Sequence, residues 1–84
     1  MTYSLEILRS AQKALGKIAR QDQDRIISAV EALAADPRPA GCKKLSGRPA
    51  WRIRVGSYRV IYEVQDEKLL VLVVQIGHRK DIYR

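Results

Sequence analysis

The chain has very little cysteine: Cys42 is the single one among 84 residues. No intramolecular disulfide can form, and with His78 the single histidine there is no Cys/His set that could close a zinc site. Asp22, Asp24, Asp36, Asp66 and Asp81 lack ligand-like spacing. The glycine motifs of phosphate loops and dinucleotide folds are absent too, so neither a metal nor another cofactor is expected. No apolar run approaches the ~20 residues needed to cross a bilayer, and no signal-peptide pattern opens the sequence. Internal repeats and low-complexity tracts are missing. These absences point to a reducing compartment, the cytoplasm, and to no membrane partner.

What is present is ordinary globular material, 46% hydrophobic and 30% charged, enough for a single domain over residues 1–84 with a core near the lower limit for independent stability. The net charge of +7 is unevenly placed. Residues 1–42 carry six Lys/Arg against five Asp/Glu, whereas residues 43–84 carry ten against four. The second half therefore holds the positive field, and a polyanion is the partner such a field suits: a nucleic acid or an acidic protein.

In chain order, Tyr3–Arg9 alternates as a strand does. Ala11, Ala14, Leu15 and Ile18 then lie three to four apart and predict a helix capped by Ser10. A second helix follows, capped by Asp22 or Asp24, with Ile26, Ile27, Val30, Leu33 and Ala34 on its buried face, and Pro37 and Pro39 stop it at about Asp36. A helical hairpin covering a sheet fits better than a DNA-reading helix-turn-helix, because the second helix offers only Arg25 as a basic residue. Residues 36–50 form an ordered connection in which Leu45 anchors the loop and Lys43, Lys44 and Arg48 are exposed cations. Leu69–Ile76 is apolar at nearly every position and reads as a central strand. The fold class is α+β, in the order β-α-α-β-β-β: two N-terminal helices packed on a mostly antiparallel four-stranded sheet.

Residues 51–62 carry the most chemistry. Trp51, Ile53 and Val55 alternate with Arg52 and Arg54, a Gly56-Ser57 turn follows, and Arg59 joins the same basic face if the hairpin register allows. That face is expected to lie partly open to solvent. Such arginines suit a clamp for a phosphorane, because guanidinium matches phosphate oxygens in a two-pronged way. Arginine stays protonated and makes a poor base. The proton-transfer candidates are His78, Tyr83, Lys43, Lys44 and Lys80, of which His78 has the most suitable intrinsic pKa. Tyr58, Tyr62, Tyr83 and Trp51 are candidates for stacking on bases, although Trp51 and Tyr62 fit a core role better.

Trp51–Val64 (WRIRVGSYRVIYEV) and Val74–Tyr83 (VQIGHRKDIY), together with LAADPRP at 33–39 and KKLSG at 43–47, resemble the RelE branch of the RelE/ParE toxins, the toxin halves of type II toxin–antitoxin pairs. The likeness covers practically the whole chain. It implies the α+β fold described above and a ribosome-dependent mRNA interferase that cuts in the A site by metal-independent attack of a ribose 2'-hydroxyl. Carried over, the family's catalytic set falls on Arg52, Arg54, Arg59, Arg79 and Tyr83, with His78 as a further candidate. Lysines stand in the best-known member at the positions of Arg52 and Arg54, which shifts the base role here towards Tyr83 or His78. Lys43, Lys44, Arg48 and Lys80 are the expected RNA- and ribosome-binding cations. The resemblance implies a RelB-like antitoxin as partner, beside the ribosome and mRNA, with operator DNA reached only through the antitoxin. The alternatives are a ParE-like inhibitor of DNA gyrase and a non-catalytic relative that binds antitoxin or nucleic acid.

Overall fold

The computed structural model describes residues 2–78. The calls on Arg79, Lys80 and Tyr83 lie outside these residues. Strand β1 (Ser4–Ile7) is followed by helices α1 (Arg9–Gly16) and α2 (Arg20–Ala32). Strands β2 (Lys43–Lys44), β3 (Trp51–Val55), β4 (Tyr58–Gln65) and β5 (Leu70–His78) complete the order, with one 3₁₀ turn at Asp66–Lys68. The sheet order is β1-β5-β4-β3-β2. The four expected strands are present, and the two-residue β2 adds a fifth at the edge. Three of the four pairings are antiparallel; β1 lies parallel to β5, in register from Ser4↔Leu70 to Ile7↔Val73.

The helices begin earlier than their cap signals suggest. Leu8, not Ser10, caps α1, because the Leu8 N–H donates to the Val73 carbonyl at 2.9 Å while its own carbonyl accepts from Gln12 N–H at 2.9 Å. The helix thus starts directly from the strand pairing, and a sheet hydrogen bond replaces the side-chain cap. Ala19 caps α2 through its carbonyl, which accepts from the N–H groups of Asp22 and Gln23. Asp22 then sits in the first turn, where its charge suits the helix dipole. Beyond Ala32 the chain tightens into short-range turns as far as Asp36, whose N–H still reaches the Ala32 carbonyl at 3.1 Å. Among the described residues no helix is long and apolar enough to cross a membrane.

The hairpin joining β3 and β4 turns on Gly56 and Ser57, with Gly56 at φ 60° in the first central position, as a type II′ turn requires. The helix side of the sheet carries Ile53, Val60, Tyr62, Val71, Val73 and Ile76, packed against Ala11, Ile26, Val30 and Leu33. Strand β5 keeps its core residues on that side only by breaking its alternation. Tyr62 pairs with Val73 but Ile61 pairs with Gln75, so Val74 is an extra residue, a β-bulge. Val71 and Val73 before the bulge, and Ile76 and His78 after it, therefore share the helix side.

Two contacts hold the connection 36–50 to this frame. Tyr62, fully buried, donates its hydroxyl to the Pro37 carbonyl at 2.7 Å. Burial raises the Tyr62 pKa well above its ordinary value, and the Cys42 thiol beside it adds to the shift. Arg38 grips Asp66 with both terminal nitrogens, at 2.9 and 3.3 Å, and lies 5.2 Å from the centre of the Trp51 ring. Tyr3 completes the corner by donating to Asp66 at 2.6 Å.

Tyr62→Phe keeps the ring but leaves the Pro37 carbonyl without its donor. A loss of about 1–3 kcal/mol is expected in urea denaturation, with near-native spectra before the transition. Hydrogen bonds from Arg38, then from Tyr3, hold the Asp66 carboxyl below its ordinary 3.8. A depressed folded-state pKa contributes stability that is fully present above the ordinary value and lost as pH falls through the folded-state value. The pair is exposed, so the effect is small. Urea midpoints measured from pH 7 down through the range below 3.8 should therefore fall less steeply in Asp66→Asn than in the wild type.

Candidate nucleic-acid interface

The hairpin register settles which arginines share a face. Arg54 stands directly opposite Arg59, and Arg59 opposite Gly77 on β5. One row along, Lys43, Arg52, Ile61 and Gln75 form a line across β2, β3, β4 and β5. Directly paired residues point to the same side of a sheet. Lys43, Arg52, Arg54 and Arg59 therefore gather on the side away from the helices, built on backbone that strand pairing fixes on at least one flank. Gly77 adds no side chain beside Arg59.

This face is less open than its alternation suggests. Arg52 is 5% exposed and Arg59 3%, whereas Arg54 is exposed. Arg59 sits on β4 between β3 and β5, and Arg52 on β3 between β4 and the short β2. Strand β2 pairs only with Trp51 and Arg52, so Arg54 lies past its end with one flank uncovered. Two guanidinium groups are thus enclosed and one projects.

The remaining candidates fall elsewhere. His78 pairs with Tyr58 on the helix side, ring centroids 5.7 Å apart and 79° between planes, so the sheet separates it from the arginines. Lys44 pairs with Trp51 and shares that ring's side of the sheet, while Lys43 stands with the arginines. Arg48 is exposed in the loop before β3. Ile61 belongs to the arginine face, as its alternation with Val60 and Tyr62 implies, and so does Gln75, which nothing in the sequence marks because the run 69–76 is so apolar that it conceals the bulge. The Arg38–Asp66 pair, 28 residues apart, likewise has no local signal.

Like charges held opposite each other on neighbouring strands destabilise a sheet. Among the described residues the ion pair formed is that of Arg38 with Asp66, and it leaves Arg54 out. Arg54 and Lys43 are the cations of this face that solvent reaches.

A two-layer α+β domain with an arginine-bearing sheet face on the side away from its helices is the class these observations define, and the comparisons with known proteins give the family. Residues 5–83 match the model of the ParE toxin of the type II toxin–antitoxin system parDE. Toxin RelG of Mycobacterium tuberculosis is 30% identical over the whole of this chain and 99% of its own length. The mRNA interferase toxin RelE of Escherichia coli is 29% identical over 95% of this chain and 86% of its own. In the solved RelE–RelB complex of Pyrococcus horikoshii, a chain 28% identical superposes with a TM-score of 0.85, covering 96% of this chain and 99% of that one. The chain belongs to the RelE/ParE family of type II toxin–antitoxin toxins, in its RelE branch.

Arg54→Ala removes one of two opposed cations at an exposed position. Unfolding free energy should stay unchanged or rise by up to about 1 kcal/mol, measured in urea at low ionic strength, with the gain shrinking as salt is added.

Proposed function

We propose that this toxin is a ribosome-dependent mRNA endoribonuclease. The observation that carries the reading is the convergence of Arg52, Arg54 and Arg59 on one face of the hairpin, opposite the helices. In the proposed reaction a ribose 2'-oxygen attacks the adjacent phosphorus and the 2'-proton passes to a base. The bond from phosphorus to the 5'-oxygen then breaks, and an acid protonates the leaving oxygen. The products are a 2',3'-cyclic phosphate and a 5'-hydroxyl, and no metal takes part. The arginines hold the charge that grows on the phosphorane, and their fixed strand positions mean little reorganisation is needed as it develops. Arg79 adds to the clamp in this reading. Tyr83 is the proton carrier the resemblance supplies, and Lys43 stands on the arginine face as a second. His78, across the sheet, is the weakest of the three. The ribosome orients the message, which accounts for a protein expected to do little to free RNA.

The partner in this reading is a RelB-like antitoxin, supported by the RelB found with the similar chain of the P. horikoshii complex. An acidic toxin-binding segment would complement the basic half. Operator DNA would be reached through that antitoxin. The match to a ParE model keeps a second reading, inhibition of DNA gyrase, in view.

The test is cleavage of a defined mRNA on programmed ribosomes, mapped by primer extension. The wild type should cut within the A-site codon, and Arg54→Ala should cut about a hundredfold more slowly while remaining folded. An uncut message with folded wild-type protein overturns the RNase reading, and a supercoiling assay with gyrase then decides the alternative.

A further inference from the structure

Beyond the arginine rows, the side of the sheet away from the helices turns apolar and acidic. Along β4 that side carries Arg59, Ile61, Glu63 and Gln65 in turn. Glu63 stands opposite Leu72 on β5, and Glu6 of β1 flanks Leu72 on its other edge. One row further, Leu70 lies between Gln65 and Ser4. Directly paired residues share a side, so four polar residues frame two leucines. A sheet with one solvated face commonly alternates apolar inward and polar outward. Strand β5 departs from that pattern here. Val71 and Val73 fill the core, yet Leu70 and Leu72 on the opposite side are apolar too and only half-buried. Glu6 is exposed and Glu63 half-buried, and among the described residues neither forms an ion pair. An apolar strip rimmed by polar side chains is the form an interaction surface takes.

We propose that this strip docks a protein segment carrying a large apolar side chain between two cations. Neighbouring strands lie about 4.8 Å apart, so Glu6 and Glu63, one strand to either side of Leu72, stand roughly 10 Å from each other. The long stems of lysine or arginine span that gap from either side of an apolar residue seated on Leu72. Two glutamates repel phosphate, and leucines give a base no ring to stack on, so the observations favour protein over RNA. A net charge of +7 works against a second copy of this chain. This docking rests on the antitoxin reading above: the segment belongs to that antitoxin and is opposite in charge to the acidic segment that suits Arg54 and Lys43. The change of sign between Arg59 and Glu63 on one strand then sets which way the antitoxin crosses the sheet, because the reverse direction puts like charges together.

Fluorescence anisotropy with two labelled peptides, one alternating leucine and lysine and one alternating leucine and glutamate, tests this. The leucine–lysine peptide should bind the wild type despite its net charge of +7. Glu6→Gln and Glu63→Gln should each bind it about threefold more weakly at low salt, the difference shrinking as salt is added. Leu72→Thr, checked for folding by circular dichroism, should bind it about fivefold more weakly at any salt. Glu31→Gln, which removes an exposed carboxylate of α2, should bind it as the wild type does. The leucine–glutamate peptide should be weakened by Arg54→Ala and by none of these changes. Equal binding of the leucine–lysine peptide by Glu63→Gln and Glu31→Gln overturns the inference, and if the other peptide still depends on Arg54 the acidic-segment reading stands without it. Dependence on Glu6 and Glu63, with no dependence of the other peptide on Arg54, upholds the docking strip and removes the acidic segment. A wild type that binds neither peptide overturns both. Binding of a single-stranded RNA that Leu72→Thr weakens overturns the inference in favour of nucleic acid. A wild type that sediments as a dimer, with Leu72→Thr a monomer, overturns it in favour of a second copy.

Discussion

Period-two alternation sorts side chains cleanly across β3 and β4, and at β5 it must be broken once for the core to close. Val71 and Val73 lie under the helices, and so does Ile76, three positions on from Val73. An unbroken strand would send Ile76 out to the arginine side and bring Gln75 into the core. Burying a side chain such as isoleucine is worth about 1.5–3 kcal/mol, and burying an unpartnered amide opposes folding. The extra residue at Val74 avoids both, and it leaves Gln75 beside the arginines. One bulge therefore sets the boundary between the face that packs on the helices and the face that carries the arginines.

That second face is built at some cost to stability. Arg52 is almost wholly removed from solvent, and Arg54 faces Arg59 across the hairpin. Hydrophobic residues at such positions would serve a sheet better. Strand pairing fixes the backbone under Arg52 and Arg59, which limits how far their guanidinium groups can move. Arg54, past the end of β2, is left to make first contact with a polyanion. The connection 36–50 supports this arrangement from one side: Tyr62 fixes Pro37 from within, and the Arg38–Asp66 pair lies against Trp51, next to Arg52 on the same strand.

The parts of the molecule that repeat with a regular period were legible in the sequence. The alternation of 51–62 placed Arg52 and Arg54 on one face and left Arg59 to the hairpin register, and the helix stripes found Ala11, Ile26, Val30 and Leu33, although Ile27, expected beside them, is exposed. The parts decided by tertiary contacts were not. Ser10 and Asp22 carry cap chemistry, yet strand pairing at Leu8 and the backbone at Ala19 start the helices instead. Burial of Arg52 and Arg59 is not readable from alternation, which places them on the face expected to lie partly open. The bulge is hidden because Val73 and Val74 are equally apolar, so the sequence leaves open which side His78 takes.

The placement of His78 links core packing to the proposed chemistry. Arginine cannot move protons near neutral pH, so a face made of Arg52, Arg54 and Arg59 supplies charge and leaves acid–base work to other groups. By intrinsic pKa His78 is the most suitable group in the chain for that work. Moving its side chain to the arginine side, however, requires an unbroken β5, and the same shift takes Ile76 out of the core. The core thus keeps this imidazole against Tyr58. In a reaction run on the arginine face, proton transfer then falls to Tyr83, which follows β5 in sequence, and to Lys43, already in line with Arg52. In the proposed reaction the division of labour is then spatial: the arginines steady the phosphorane, and a neighbouring group on the same side of the sheet carries the proton.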